Sequence, residues 1–199
     1  MARTQSADYA VRRDAITREA ARLYARHGFL GASVAQVAAA CETSKSLIYH
    51  YYPSKEDILF AVMDTHVQRL VRAAKRAAGE PGDARARLGA AARALVIRYE
   101  GAGDYQRVLL NELRRLPDEK RAEIVAHQRE LLDIVDALIL ALKPALACDL
   151  PRRRTLTMLF FGMINWMHTW FDPDGPIDAT DVADMAATML VAGVEQAAG

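Results

Sequence analysis

The chain has 199 residues, 52% of them apolar and 26% charged, with a formal net charge of +1. That composition supplies a packed core for one large or two small domains and excludes disordered and collagen-like chains. Its two cysteines, Cys41 and Cys148, are far apart and outside any paired motif, which excludes a disulfide framework and fits a reducing compartment.

Glycine and proline are sparse and alanine, leucine and arginine dominate, so an all-α fold is the expectation. The small net charge hides an asymmetry. Residues 1 to 55 hold eight Lys/Arg against four Asp/Glu, and the remainder holds eighteen against twenty-one. A basic N-terminal third suits a nucleic-acid module joined to something else.

Residues 1–11 show no period and read as an arm. Arg3, Arg12 and Arg13 are either contacts to DNA phosphates or a minor groove, or part of a solvated tail. The N-terminal stretch is polar and charged, so no secretory signal is read there. From Asp14 to His27, the apolar residues Ile16, Ala20, Leu23 and Tyr24 form a helical stripe, and Gly28 has the position of a helix-terminating glycine. Phe29 and Leu30 are expected to plug a small core completed by Val34, Val37, Ile48, Tyr52 and Leu59.

The segment 33–56 carries three helix starts. Ser33 with Gln36 has capping-box spacing, as does Ser54 with Asp57 behind Pro53. Thr43 and Ser44 are N-cap residues for Lys45 to Tyr51. Two helices this short, joined by a tight turn, read as a helix-turn-helix. Ser44, Lys45, Ser46, Tyr49, His50 and Lys55 then face outwards, as hydrogen-bond donors and cations suited to a phosphate backbone.

A fourth helix runs from Lys55 to about residue 77 and joins this module, residues 1–54, to a C-terminal domain, residues 55–199. Displacing its far end would move the DNA-facing helix. Gly79 to Asp83 breaks the chain. Amphipathic helices follow over Asp83 to about Glu100, Tyr105 to Arg115 and Asp118 to Leu142, and Pro144 to Pro151 is a connection. A helix from about Arg152 to Phe171 is apolar nearly all round, which implies burial on more than one side. Its uncharged stretch, Thr155 to Phe171, would be only about 25 Å long as a helix, at the short limit for a bilayer, and contains Asn165 and His168. It reads as a core helix, not a membrane span. After a turn at 172–176, Asp178 caps a last helix to about Glu195. The total is about nine helices.

The run VAAACETSKSLIYHYYPSKEDIL (residues 37–59) resembles the DNA-binding signature of the TetR family of bacterial transcriptional regulators, and the resemblance extends over roughly residues 12 to 63. It implies a cytoplasmic homodimeric regulator, typically a repressor, with an N-terminal three-helix DNA-binding domain and a C-terminal helical bundle for dimerisation and ligand binding. Two positions depart from the family pattern. Glu42 stands where glycine is usual in the turn, which implies either strain or a rearranged turn. Leu47 stands where a small polar residue is common and would favour a thymine methyl.

The DNA-binding candidates are Ser33, Thr43, Ser44, Lys45, Ser46, Leu47, Tyr49, His50 and Lys55. Ser33, Tyr49, His50 and Lys55 are assigned to phosphates, and Lys45, Ser46 and Leu47 to base edges of a palindromic operator in double-stranded DNA. Tyr49 has a packing reading as well. The last two helices carry more apolar surface than one bundle covers, which points to a two-fold homodimer through them, against a larger monomeric core.

For a small-molecule effector, Phe161, Met163 and Trp166 are candidate walls and Arg98, Tyr105, Asn165 and His168 candidate polar groups, although each of these also reads as ordinary core. The run FGMINWMHTWFDPDGPI (residues 161–177) resembles family members that govern fatty-acid, sterol or aromatic-acid catabolism, several of which sense acyl-coenzyme A thioesters. That ranks acyl-coenzyme A and hydrophobic acids first among effectors. The alternative is a DNA-binding helical protein without an effector, regulated by abundance or by a partner protein. Histidines 27, 50, 66, 127 and 168 are scattered, and no glycine-rich phosphate loop, nucleophile–base pair or metal-ligand spacing occurs. No enzyme, cofactor or metal is read from the chain. Cys41, beside the turn, reads as a small apolar packing residue more than as a redox sensor.

Overall fold

The computed structural model describes residues 2–197, with side chains from Asp8 onward, and among them every regular element is helical. The order is α1 (Ala2–Gly31), α2 (Val34–Ala40), α3 (Lys45–Tyr51), α4 (Lys55–Ala78), α5 (Ala84–Tyr99), α6 (Gly103–Glu112), α7 (Asp118–Leu142), α8 (Leu150–Asn165), α9 (Met167–Trp170) and α10 (Ala179–Gln196). Short 3-10 turns over Leu113–Arg115 and Pro144–Cys148 precede α7 and α8. The chain divides into two compact units, one built of residues up to His66 together with 104–124, the other of 67–103 together with 125 onward.

In the first unit, Gly28 turns the chain with φ 72° and separates the long arm of α1 from a last helical turn at 29–31. Because of that turn Phe29 points inward, 4% exposed, and meets Tyr24 edge-on with ring centroids 5.6 Å apart. Leu30, one position on, faces out at 70% exposure, which corrects its assignment to the core. The other expected core residues, Val34, Val37, Ile48, Tyr52 and Leu59, are all buried. Residues 2–11 continue α1 as helix, which corrects the reading of an unstructured arm. Tyr9 lies against Tyr51 with ring centroids 4.7 Å apart, so this turn of helix has a tertiary contact. The side chain of Arg3 lies outside the described residues.

Side-chain hydrogen bonds then fix the first unit's connections. Thr17 Oγ1 and Tyr52 Oη are 2.8 Å apart, and Glu112 accepts from the Phe29 amide at 3.2 Å. Ser54 Oγ accepts from the Asp57 amide at 3.0 Å, starting α4 as its spacing predicts. Asp57 also pairs with Lys120 at 2.5 Å. Burial acts against ionisation of that carboxyl, but hydrogen bonds from Lys120 and Ser54 outweigh it and hold its pKa below the usual range. Buried His66 and Gln106 satisfy each other, with Nε2 and Oε1 2.9 Å apart.

In the second unit α5 packs chiefly on α10, and α8 adjoins both. Leu88, Ala91, Ala92 and Leu95 of α5 and Ala183, Ala187 and Leu190 of α10 are buried, as are Phe160, Phe161 and Ile164 of α8. The alanines permit close approach of the two helices. Arg93–Asp184 at 3.4 Å and the Arg85–Glu195 pair tie their exposed edges. The apolar helix expected from Arg152 to Phe171 is interrupted at Trp166, which separates α8 from α9. It is also not buried all round. Met158, Leu159, Trp166 and Trp170 are each more than half exposed, while Thr157, Phe160, Phe161, Ile164 and Met167 form its inner side.

The Gly28 turn makes Phe29 and Leu30 a matched pair of opposites. Phe29→Ala should lower unfolding free energy by about 3 kcal/mol or more, as for truncation of a buried aromatic ring. Leu30→Ala should stay within about 0.5 kcal/mol, as for a surface position. Urea unfolding followed by circular dichroism checks both, and equal losses would contradict the assigned orientation.

Candidate nucleic-acid interface

Helices α2 and α3 are each seven residues long and are held by their caps and anchors. Ser33 Oγ accepts from the Gln36 amide at 3.2 Å while Gln36 Oε1 accepts from the Ser33 amide at 2.7 Å, a complete capping box. Ser44, preceded by half-buried Thr43, is the N-cap of α3, and its Oγ accepts from the Leu47 amide at 3.1 Å. Between the helices the Thr43 amide bonds to Ala38 O at 2.9 Å and the Glu42 amide to Ala39 O at 3.1 Å. That pairing is a Schellman motif, and its left-handed position is filled by Glu42 at φ 50°. The turn is therefore strained and not rearranged.

On α3 one residue anchors and the rest face out. Ile48 is completely buried, whereas Ser44, Lys45, Ser46, Tyr49 and His50 are exposed and Leu47 is half-buried. The Lys45 ammonium lies 5.7 Å from the centre of the Tyr49 ring, an arrangement that steadies both at the surface. His50 meets Tyr51 edge-on at 5.4 Å, and Tyr51 in turn contacts Tyr9. Ser33 is exposed beside this set and keeps its hydroxyl proton, since its cap uses only the oxygen. The arrangement offers hydroxyl donors, one ammonium and one imidazole on a single convex helix, which is chemistry for phosphate oxygens and base edges.

Two expected contacts are turned elsewhere. The Lys55 ammonium donates to Phe29 O and sits 4.3 Å from the Phe29 ring centre, half-buried, and desolvation pulls its pKa below the ordinary lysine value. Its charge is engaged by the carbonyl at the Gly28 turn and not held out at the rim, and a phosphate contact from Lys55 would have to compete with that bond. Arg13 lies over the Tyr52 ring at 4.8 Å and donates to its hydroxyl at 3.3 Å, and it remains exposed, as Arg12 is.

The residues proposed for a ligand do not converge on one pocket. Tyr105 belongs to the first unit, its ring stacked on His66 with centroids 6.2 Å apart. Arg98 is exposed on α5, and Phe161 is buried core. Asn165 accepts from the Tyr99 hydroxyl at 2.5 Å, and His168 Nδ1 lies 2.8 Å from Asn165 O, so both serve the break between α8 and α9. Met163 and Trp166 do meet, in an open groove of about 780 Å³ with Met158, Leu159 and Trp170. Met163 also lines a second cavity of about 380 Å³ with Met167, Trp170, Asp172, Met185 and Met189. None of these partners of Met163 was singled out for a ligand from sequence. Their signal was two methionine pairs, 163/167 and 185/189, each four residues apart. Among the described residues no three His, Cys, Asp or Glu side chains gather as a metal site, and no helix is long and apolar enough to cross a membrane.

Comparison with known proteins agrees with this architecture. Residues 16–62 match the family described as bacterial regulatory proteins, tetR family, and residues 81–194 match the tetracyclin repressor-like C-terminal domain. A TetR-family transcriptional regulator from Bordetella parapertussis 12822 is 33% identical, with 94% of this chain and 97% of that one covered and a TM-score of 0.84. The regulator PfmR from Thermus thermophilus is 27% identical over 89% of this chain and 97% of its own, with a TM-score of 0.77. The structure of AibR in complex with isovaleryl coenzyme A and operator DNA is 28% identical over 90% of this chain and 98% of that one, at a TM-score of 0.77.

The turn at Glu42 lies inside the first matched segment, at a backbone angle that glycine adopts without strain. Glu42→Gly should raise unfolding free energy by about 0.5–1 kcal/mol, the relief of left-handed strain less the added flexibility of the unfolded chain. Thermal and urea unfolding measure it. A loss of stability would mean that Glu42 makes a compensating contact.

Proposed function

We propose that this chain, which belongs to the TetR family of bacterial regulatory proteins, is a cytoplasmic repressor that leaves a palindromic operator when a small apolar or acyl effector binds its C-terminal domain. As a family member it is a DNA-binding transcriptional regulator; the operator symmetry, the sign of regulation and the effector class are the proposal. The observation that carries the DNA reading is the division of α3, with Ile48 buried and Ser44, Lys45, Ser46, Tyr49 and His50 exposed together. Thr43 and Leu47 flank that surface half-buried, and Ser33 adds a hydroxyl at its edge. We assign Lys45, Ser46 and Leu47 to base edges and Ser33, Thr43, Ser44, Tyr49 and His50 to the sugar-phosphate backbone.

A homodimer through α8 and α10 is supported by their outer surfaces. Met158, Leu159, Trp166, Trp170, Met185 and Met189 are each at least half exposed, a contiguous apolar allotment that soluble monomers do not ordinarily leave open. A two-fold dimer carries two copies of α3, and a palindromic operator has the matching symmetry. The acyl-thioester class is supported by the similarity to AibR, whose complex contains isovaleryl coenzyme A and operator DNA together. Whatever its identity, the effector must prefer the conformation that binds DNA poorly, since equal affinity for both would shift nothing.

Lys45→Ala should weaken binding to the chain's own operator about tenfold or more while changing affinity for random duplex by less than about threefold. Fluorescence anisotropy on both duplexes over a salt series checks it, and an equal loss on both would move Lys45 to the backbone-contacting set. Trp166→Glu should convert the dimer to a monomer in sedimentation equilibrium, while helicity by circular dichroism stays unchanged. A panel of acyl-coenzyme A thioesters and free acids should contain at least one that releases operator. Release by none would favour the reading of a DNA-binding protein regulated without an effector.

A further inference from the structure

Lys55 is drawn inward by several groups, and one of them comes from far along the chain. The ammonium donates to Phe29 O and stands 4.3 Å from the Phe29 ring centre and 6.0 Å from that of Tyr24. Beside this arrangement lies Glu112, the last residue of α6, whose side chain is only 16% exposed. Glu112 Oε1 accepts from the Phe29 amide at 3.2 Å. A Cβ on Gly28 would stand 3.3 Å from that oxygen, so the glycine leaves the carboxylate its seat. One residue, Phe29, thus has its carbonyl held by a cation of α4 and its amide by an anion of α6.

The two charges act on each other. Desolvation lowers the pKa of Lys55, and the carboxylates of Glu56 and Glu112 act against it, stabilising the ammonium where it is half-buried. Glu56 adjoins Lys55 on α4 and does not by itself select an inward position. Glu112 does, because its carboxylate is fixed at the Gly28 turn. The carbonyl and the rings are neutral, so the attraction of Glu112 is the part of the hold that a charge change removes. Its second oxygen, Oε2, lies 3.8 Å from Arg115 Nε, a second cation for the same carboxylate.

Only Tyr52, Pro53 and Ser54 separate α3 from Lys55, and a lysine is a point charge on a flexible four-carbon stem. We propose that Glu112 is a positioning residue that holds Lys55 off the phosphate backbone, making Lys55 a reserve DNA contact; this presupposes the DNA-binding reading above. The full-length wild type, Glu112→Gln, Lys55→Gln and the double variant are compared on random duplex over a salt series by fluorescence anisotropy. Circular dichroism accompanies each, and glutamine keeps both the shape and an Oε1 acceptor for the Phe29 amide. Glu112→Gln should bind about threefold tighter than the wild type, with a salt dependence steeper by up to about one ion, the signature of one added phosphate contact. In the Lys55→Gln background the same substitution should leave the salt dependence unchanged. An equal gain in both backgrounds would overturn the proposal, since it would report only the loss of a negative charge. So would a Glu112→Gln protein that binds no tighter than the wild type. A folded wild type with no salt-sensitive affinity for any duplex would instead sink the DNA reading, and this proposal with it.

Discussion

Everything the DNA face presents depends on two seven-residue helices keeping their shape, and helices of that length do not persist in water alone. They persist here because their inward side chains are buried completely or nearly so. Val37 and Ile48 have no exposed surface, and Tyr52, directly after α3, is held through its hydroxyl by Thr17 of α1. Each helix start is satisfied by a serine oxygen and the turn between them by two backbone bonds to α2 carbonyls. With its backbone groups and its anchor accounted for internally, α3 has its outer side chains free for a ligand. Stability and recognition thus occupy opposite sides of a single two-turn helix.

That division explains which parts of the site were legible in the sequence. Caps and apolar spacing are local, so Ser33, Ser44, Ser54 and the buried set from Val34 to Leu59 were all readable by position. The strain at Glu42 was readable too, because a residue closing a short helix before a second N-cap has few backbone choices. Side-chain direction at the Gly28 turn was not. A glycine with positive φ redirects the chain through an angle that spacing does not encode, so Phe29 and Leu30 looked equivalent and are not. The contact of Lys55 was hidden for the same reason. The carbonyl that captures it belongs to Phe29, twenty-six residues earlier, and only the turn brings it within reach. Residues 1–11 read as an arm because the contact of Tyr9 with Tyr51 is also distant in sequence.

The ligand candidates were drawn on a different ground. Arg98, Tyr105 and Phe161 were chosen by residue type, and type does not say which side of a helix faces a void. Tyr105 is committed to His66 and Phe161 to the core, while Met167, Met185 and Met189, which line a cavity with the expected Met163, were not among the candidates. An apolar stripe at helical spacing is common to a core, an interface and a pocket, so periodicity alone separates none of them.

The charge pattern of the last two helices bears on where their exposed apolar surface begins and ends. Lysine and arginine are absent from Thr155 onward, and α10 confines most of its acids to its start: Asp178 caps it, Asp181 lies in its first turn, and Asp184 follows one turn later. Negative charge there is stabilised by the amide groups of the helix N-terminus. The exposed stripe beyond, Met185, Thr188, Met189, Ala192 and Gly193, is left without charge and with small residues among its methionines. Such a stripe permits a second helix to approach closely, and a two-fold pairing closes it on itself, whereas a head-to-tail contact would leave one copy's stripe open and propagate. In the proposed homodimer the acids at the start of α10 would serve as a boundary, limiting the apolar contact to the helix body and disfavouring, by like-charge repulsion between copies, any register that slides one start over the other.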